Sequence, residues 1–65
     1  MTQEWQQRVI DEKAALDEKI TKLEKARADP WFEELNPYDR QLLISQLTNM
    51  RQYSLVLGQR IERFR

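Results

Sequence analysis

The sequence predicts an all-α protein: an antiparallel two-helix hairpin with a short helical turn at the tip, assembling as a homo-oligomeric helical bundle. Three observations lead to this prediction. An apolar stripe runs along residues 38–65 at helical spacing, two proline-containing breaks lie close together near mid-chain, and the chain has a single glycine. We expect one domain over residues 1–65, with helices at about 3–28 and 37–64 and the turn at about 30–35.

The second predicted helix carries most of the apolar surface. Members of its stripe are separated alternately by four and three residues, the spacing of a helix that packs along a partner helix. They are Leu43, Leu47, Met50, Ser54, Leu57, Ile61 and Phe64. Gly58 lies inside this helix at a cost of about 1 kcal/mol relative to alanine. We therefore expect another backbone or a ligand to come close at Gly58.

The first predicted helix has a narrower apolar stripe. Thr2 is its expected N-cap, and Glu4 lies in the first turn, where the helix dipole favours a negative charge. The stripe consists of Val9, Leu16, Ile20 and Leu23, with Trp5 and Ile10 extending it at one end. Lys13 occupies a gap in the stripe, where its methylene groups can cover apolar surface.

Two short motifs separate the helices. Asp29-Pro30 and Asn36-Pro37 each end a helical segment, because a residue that precedes proline is disfavoured in the α region. Each also begins a new segment, with Asp or Asn as N-cap and proline at the first helical position. The residues between them, including Trp31, Phe32 and Leu35, are expected to close the tip of the hairpin.

The small size of the chain favours association between copies. Ordering 65 residues costs on the order of 100 kcal/mol, which requires roughly 4,000 Å² of apolar burial at about 25 cal/mol/Å². A lone hairpin has no second layer to supply this area. The second helix also has apolar residues outside its stripe, and we expect Ile44, Leu55 and Val56 to lie in an oligomer interface.

Composition argues against several classes of function. The chain has no histidine and no cysteine, so the usual general base and a common nucleophile are missing, and no catalytic or metal-binding motif is present. We expect a protein that is not an enzyme and uses no cofactor or metal. The sequence has neither a signal-peptide core nor an apolar run long enough for a membrane span, which predicts a soluble protein.

An aromatic residue near positive side chains is the main indication of binding. Trp5 lies one turn from Arg8, and Lys19 and Lys22 follow on the same helix. Such residues can stack a base and neutralise phosphates where two chains cross. From spacing alone, a structural role is favoured: Trp5 anchors the helix end, and the lysines belong to a solvated face.

The second helix has its own candidate anion ligands. Residues 40–65 contain five arginines against one acidic residue, Glu62, although the whole chain has zero formal net charge. Arg51 and Arg60 are either ligands for an anion or charges that favour a helix C-terminus. Tyr53, beside Arg51, belongs either to the core or to a ligand site.

Five segments of the sequence resemble a family of short phage proteins. They are Glu4–Lys13, Leu16–Leu23, Phe32–Leu35, Asp39–Leu43 and Gln46–Ser54, and together they extend along nearly the whole chain. This family shares the helical-hairpin module of the phage sponges that inhibit CBASS and, as part of a larger protein, Thoeris immunity.

The resemblance implies a non-enzymatic oligomer, with a hexamer favoured and a dimer as the alternative. It would capture cyclic di- and trinucleotide signals in the cytoplasm of the infected bacterium, so that the host effector is never activated. The base-stacking aromatic corresponds to Trp5, with Arg8 beside it, and the phosphate-pairing lysine to Lys19 or Lys22. For a separate cyclic-trinucleotide site, Arg51 and Arg60 are the candidates.

Two other classes of function remain open from the sequence. The first is an RNA-binding hairpin dimer, whose affinity would fall steeply with salt and which would ignore small cyclic nucleotides. The second is a protein-interaction module that docks through Ile44, Leu55 and Val56. The zero net charge counts modestly against the RNA-binding dimer. No DNA or membrane partner is expected.

Overall fold

The protein is a long helical hairpin, described here for residues 3–64 by a computed structural model. Its elements are α1 (Glu4–Ala28), α2 (Pro30–Glu33) and α3 (Pro37–Glu62). The two long helices pack side by side in opposite directions, with Trp5 beside Phe64 at the open end. The all-α prediction is confirmed for this part of the chain. Assembly into a homo-oligomeric bundle stays a prediction.

Capping side chains and prolines define the two breaks as expected. Asp29 Oδ1 accepts a hydrogen bond from the Trp31 N–H (2.9 Å), and Asn36 Oδ1 accepts one from the Tyr38 N–H (2.8 Å). The start of α1 differs from the prediction. Thr2, the expected cap, lies outside the described residues, and the N-cap is Gln3, whose N–H donates to Gln6 Oε1 (2.9 Å).

The apolar core is one row of side chains between α1 and α3, closed at the tip by α2. Its buried members are Val9, Ile20, Phe32, Leu47 and Leu57, of which Leu47 and Leu57 are fully buried. The molecule measures 48 × 15 × 13 Å, and its radius of gyration is 14.9 Å, whereas a compact domain of this length would have about 11 Å. The hairpin is therefore a single layer that leaves much apolar surface exposed.

The tip is held by one aromatic residue and one ion pair. Phe32 is buried and Leu35 is half-buried, in agreement with their predicted role at the tip. Trp31 packs less closely and keeps almost half of its surface exposed. Arg40 Nη1 lies 3.1 Å from Glu33 Oε2, which links the first turn of α3 to α2.

The polar interruptions of the two apolar stripes meet each other. Lys13 Nζ donates to Ser54 Oγ (3.1 Å) and to Asp17 Oδ2 (2.7 Å), and the Ser54 hydroxyl donates to Asp17 Oδ1. Ser54 is buried, so its hydroxyl would be costly to leave without a partner. We call these three residues the polar cluster. Because it satisfies groups from both helices, it favours one register of α1 against α3.

The absence of a side chain at Gly58 leaves space for the Lys13 side chain of the polar cluster. A Cβ atom at position 58 would lie 3.2 Å from Lys13 Cε, which is closer than an ordinary carbon–carbon contact. The sequence predicted a close approach at Gly58 by a backbone or a ligand. Within the described chain, the group that comes close is the Lys13 side chain.

The polar cluster should make stability depend on pH in the acidic range. Hydrogen bonds donated by Lys13 and then by Ser54 lower the pKa of Asp17. A carboxyl group whose pKa is lower in the folded state stabilises the fold above its unfolded pKa, and this contribution is lost as pH falls through the folded value. We expect Asp17→Asn to lower the urea midpoint at pH 7 and to make less difference below about pH 3.

Asp11→Asn provides the matched control. Asp11 lies on the exposed side of α1, where its carboxylate accepts a hydrogen bond from Gln7 Nε2 (2.9 Å). This substitution should change the urea midpoint by much less than Asp17→Asn at pH 7. An equal effect of the two substitutions would contradict a special role for the polar cluster.

Candidate functional site

The line of contact between α1 and α3, which we call the seam, is flanked by two solvent-exposed sides of the hairpin that differ in chemistry. On one side, the Tyr53 hydroxyl donates to Glu12 Oε2 and the Trp5 ring meets Phe64. We call this the tryptophan side. On the other, Arg51 pairs with Glu24, and Lys13 lies against Gly58. We call this the glycine side.

The Trp5 ring packs against one aromatic neighbour, and the rest of its surface is exposed to solvent. Its ring meets Phe64 edge to face, with centroids 5.1 Å apart and planes at 76°. The residue is nevertheless 53% exposed. It therefore combines features of both sequence-based interpretations, since it closes the end of the hairpin and still offers aromatic surface for stacking.

The cations of α1 are exposed and weakly paired. Arg8 Nη2 lies 2.8 Å from Glu4 Oε1, and Lys22 Nζ lies 3.3 Å from Glu18 Oε1, in i,i+4 pairs whose side chains are mostly in solvent. Lys19 is also exposed. Exposed ion pairs of this kind contribute about 0.3–0.5 kcal/mol. A phosphate can therefore replace the carboxylates as the partner of these cations with little loss of folding free energy.

These four residues lie on one face of α1 but at two separate heights. At about 100° per residue, Trp5, Arg8, Lys19 and Lys22 fall within a sector of about 100° around the helix axis. Lys19 follows Trp5 by 14 residues, and Lys22 follows Arg8 by the same number. Fourteen residues correspond to about 21 Å along a helix. The hairpin therefore does not bring the aromatic residue and the lysines together within one chain.

Arg51 and Arg60 do not share a site within one chain either. They are nine residues apart, which turns them to opposite sides of α3, about 180° from each other. Arg51 is paired with Glu24 on the glycine side. Arg60 is exposed and lies near Tyr53 on the tryptophan side.

The three residues expected at an oligomer interface divide between two faces. Ile44 and Leu55 are eleven residues apart, close to three full turns, and so share a face on the glycine side. Leu55 is more than half exposed there. Val56 is turned about 100° further, to the outer face of α3. A single partner helix lying along α3 would not cover all three.

The contact between Tyr53 and Glu12 was not found from the sequence. The hydrogen bond to the Glu12 carboxylate raises the pKa of the Tyr53 hydroxyl, because it stabilises the protonated form. Nothing in the sequence pairs two residues 41 positions apart unless the register of α1 against α3 is already known. The contact adds a hydrogen-bonded carboxylate to the tryptophan side.

Two surface cavities open along α3. One, of about 350 Å³ on the glycine side, is lined by Lys13, Arg51, Ser54, Leu55, Gly58, Gln59 and Glu62. Both of its cations already have carboxylate partners, Asp17 and Glu24. The other, of about 500 Å³ and largely apolar, is lined by Leu42, Ser45, Gln46, Asn49, Met50 and Tyr53.

Two further observations concern residues 3–64 only. No group of three or more acidic side chains in this part of the chain is arranged to hold a metal ion. None of its helices is both long enough and apolar enough to cross a membrane.

Comparisons with known proteins place this arrangement in a family. Neither the curated proteins nor the solved structures provided a match to the chain. A family model described as Sequestin matches residues 3–63, a range that includes Trp5 and all the candidate cations. Sequestin is the name of the phage family of cyclic-nucleotide sponges, which bind and sequester rather than act as enzymes. The match confirms the resemblance seen in the sequence, and the chain belongs to the Sequestin family.

Proposed function

We propose that the protein is a phage immune-evasion sponge that binds cyclic oligonucleotide second messengers, chiefly cyclic dinucleotides, without hydrolysing them. By lowering the free concentration of these second messengers in the cytoplasm of the infected bacterium, it blocks CBASS-type defence. The observation that supports this best is the half-open Trp5 ring on the same face of α1 as Arg8, Lys19 and Lys22. Membership of the Sequestin family points to the same class of ligand.

The binding site is formed between two copies of the chain. Trp5 and Arg8 lie about 21 Å from Lys19 and Lys22 along α1, too far for one compact ligand to touch both groups. A second α1 helix that crosses in the opposite direction places the lysines of one copy beside the tryptophan of the other. Ala15 lies near the midpoint of the two groups and is small and exposed, so the helices can approach closely there.

Such a pair has two equivalent pockets, one at each end. Two identical chains related by a two-fold axis place Trp5 of one copy beside the lysines of the other in each pocket. A cyclic dinucleotide has two bases and two phosphates. In each pocket one base can stack on Trp5, and the phosphates can accept charge-assisted hydrogen bonds from lysine and arginine side chains. The phosphates thereby take the place of Glu4 and Glu18 as partners of Arg8 and Lys22.

Binding should be visible as thermal stabilisation that depends on Trp5. A ligand present at a hundred times its Kd stabilises a protein by about 2.7 kcal/mol, which raises the Tm of a small domain by roughly 10–20 °C. We expect this shift with cyclic dinucleotides in a panel of cyclic di- and trinucleotides. Trp5→Ala should weaken binding about tenfold or more, because stacking of one base contributes about 1–3 kcal/mol.

Trp31→Ala is the matched control for the loss of a tryptophan. Trp31 is similarly exposed but lies at the tip, at the far end of the hairpin. Trp31→Ala should leave the ligand-induced shift of the Tm unchanged, and Trp5→Phe should retain part of that shift. A wild-type protein that shows no shift with any cyclic nucleotide would refute the proposal.

Lys19 and Lys22 should contribute to the affinity for the cyclic nucleotide through their charge. A hydrogen bond to a charged group contributes about 1.5–3 kcal/mol, so Lys19→Gln and Lys22→Gln together should raise the Kd at least about tenfold. Lys25→Gln together with Arg27→Gln likewise removes two positive charges, from the last turn of α1 and from other faces of the helix. Isothermal titration calorimetry would compare the variants, and equal losses of affinity would indicate only a general effect of net charge.

Sequestration and turnover can be separated by recovering the ligand. After overnight incubation with excess protein and heat denaturation, mass spectrometry should find the cyclic nucleotide intact. Linear products would show hydrolysis. If a folded RNA bound instead, with a steep dependence on salt and no competition from cyclic nucleotides, the RNA-binding alternative would replace this proposal.

A further inference from the structure

An aromatic neighbour of Trp5 comes from the other end of the chain. Phe64 directly follows the C-cap residue of α3, Arg63, and is half-buried. The ring centroids of Trp5 and Phe64 are 5.1 Å apart, and the two ring planes meet at 76°. Aromatic pairs favour this edge-to-face geometry, which adds to the free energy gained from the area that they bury. The contact therefore restricts the indole ring as well as covering part of it.

The backbones on both sides of this contact are held by hydrogen bonds. Trp5 lies in the first turn of α1, where the Gln3 N–H donates to Oε1 of the buried Gln6 (2.9 Å). At the end of α3, the Phe64 N–H donates to the Ile61 carbonyl oxygen (3.0 Å). With both backbones fixed, the freedom left to the indole is rotation about its side-chain bonds. A fixed neighbouring ring selects among the rotamers that these bonds allow.

The perpendicular geometry leaves the indole ring usable as a stacking surface. Whichever ring supplies the edge, the phenyl group of Phe64 covers one face of the indole at most. At least one indole face is therefore free for a base, and Trp5 is accordingly more than half exposed. Phe64 can hold this ring without taking the place of a ligand.

We infer that Phe64 is a positioning residue for nucleotide binding, which acts through Trp5 by holding the indole ring in the orientation that stacks on a base. The inference rests on the proposed function, since it concerns the same indole ring. A side chain that is ordered before binding loses less conformational freedom when the ligand arrives. Phe64 therefore increases the affinity without touching the nucleotide.

The motion of Trp5 can be followed without any ligand. In a Trp31→Phe background, Trp5 is the only tryptophan of the chain, so the decay of fluorescence anisotropy reports on its ring. Phe64→Leu keeps an apolar side chain and removes the aromatic ring. We expect it to increase the amplitude of the subnanosecond decay roughly twofold, because rotamer motion of a freed side chain occurs on this timescale. Phe64→Tyr, which keeps the ring, should retain the original decay.

Affinity for cyclic GMP–AMP, which carries one guanine and one adenine, provides the second measurement. By isothermal titration calorimetry, Phe64→Leu should raise the Kd about threefold to tenfold, the cost of ordering one side chain during binding. In a Trp5→Ala background, the same substitution should change the Kd by less than about twofold, because the group through which Phe64 acts is missing. Equal losses in the two backgrounds would show that Phe64 supports the fold alone, and the inference would be wrong.

Phe32→Leu is the matched control for the loss of a phenyl ring. Phe32 is the other phenylalanine of the chain and is buried at the tip, at the far end of the hairpin from Trp5. Its replacement should lower the Tm, yet leave the anisotropy decay of Trp5 and the Kd unchanged at a temperature where the variant is folded. Equal effects of Phe32→Leu and Phe64→Leu on the decay or the Kd would contradict the inference.

The outcomes distinguish this inference from the proposed function. An anisotropy decay that Phe64→Leu does not change would overturn the inference whether or not the protein binds nucleotides. A wild type that binds cyclic GMP–AMP no better than Phe64→Leu does would overturn the inference and leave the proposed function intact. A wild type that binds no cyclic nucleotide would overturn both.

Discussion

A single layer of packing is the constraint from which the rest of this molecule follows. Two helices side by side enclose one row of side chains, and only five apolar residues among those described become buried. The remaining apolar surface has no further element of the chain to cover it. The site that we propose on α1 is a place where that surface, and the charge beside it, is offered to another molecule.

The polar cluster makes this thin core specific. An uninterrupted apolar seam would allow α1 and α3 to slide past each other, since leucine and isoleucine side chains accept many neighbours. Lys13 and Ser54 satisfy each other in one register, together with Asp17. That register also sets Trp5 beside Phe64 and Glu12 beside Tyr53, so the shape of the tryptophan side depends on hydrogen bonds made elsewhere on the seam.

Local features were predictable from the sequence, and the relation between helices was not. Asp29-Pro30 and Asn36-Pro37 act on their own neighbours, and both breaks were placed correctly. Leu47 and Leu57 were identified by spacing and are buried. The Tyr53–Glu12 contact depends on register, which no local pattern specifies. The nine-residue spacing of Arg51 and Arg60 already implies that they point to opposite sides of α3. Their positive charge alone had suggested a shared site.

The placement of the tryptophan and the lysines at opposite ends of one helix face has a consequence for stoichiometry. If two copies pair through antiparallel α1 helices, the pair has one pocket at each end, and each pocket combines Trp5 of one chain with Lys19 and Lys22 of the other. The number of pockets would then equal the number of chains. Each chain would also contribute to two pockets at once, so a substitution in one copy of a mixed pair would impair only one of them.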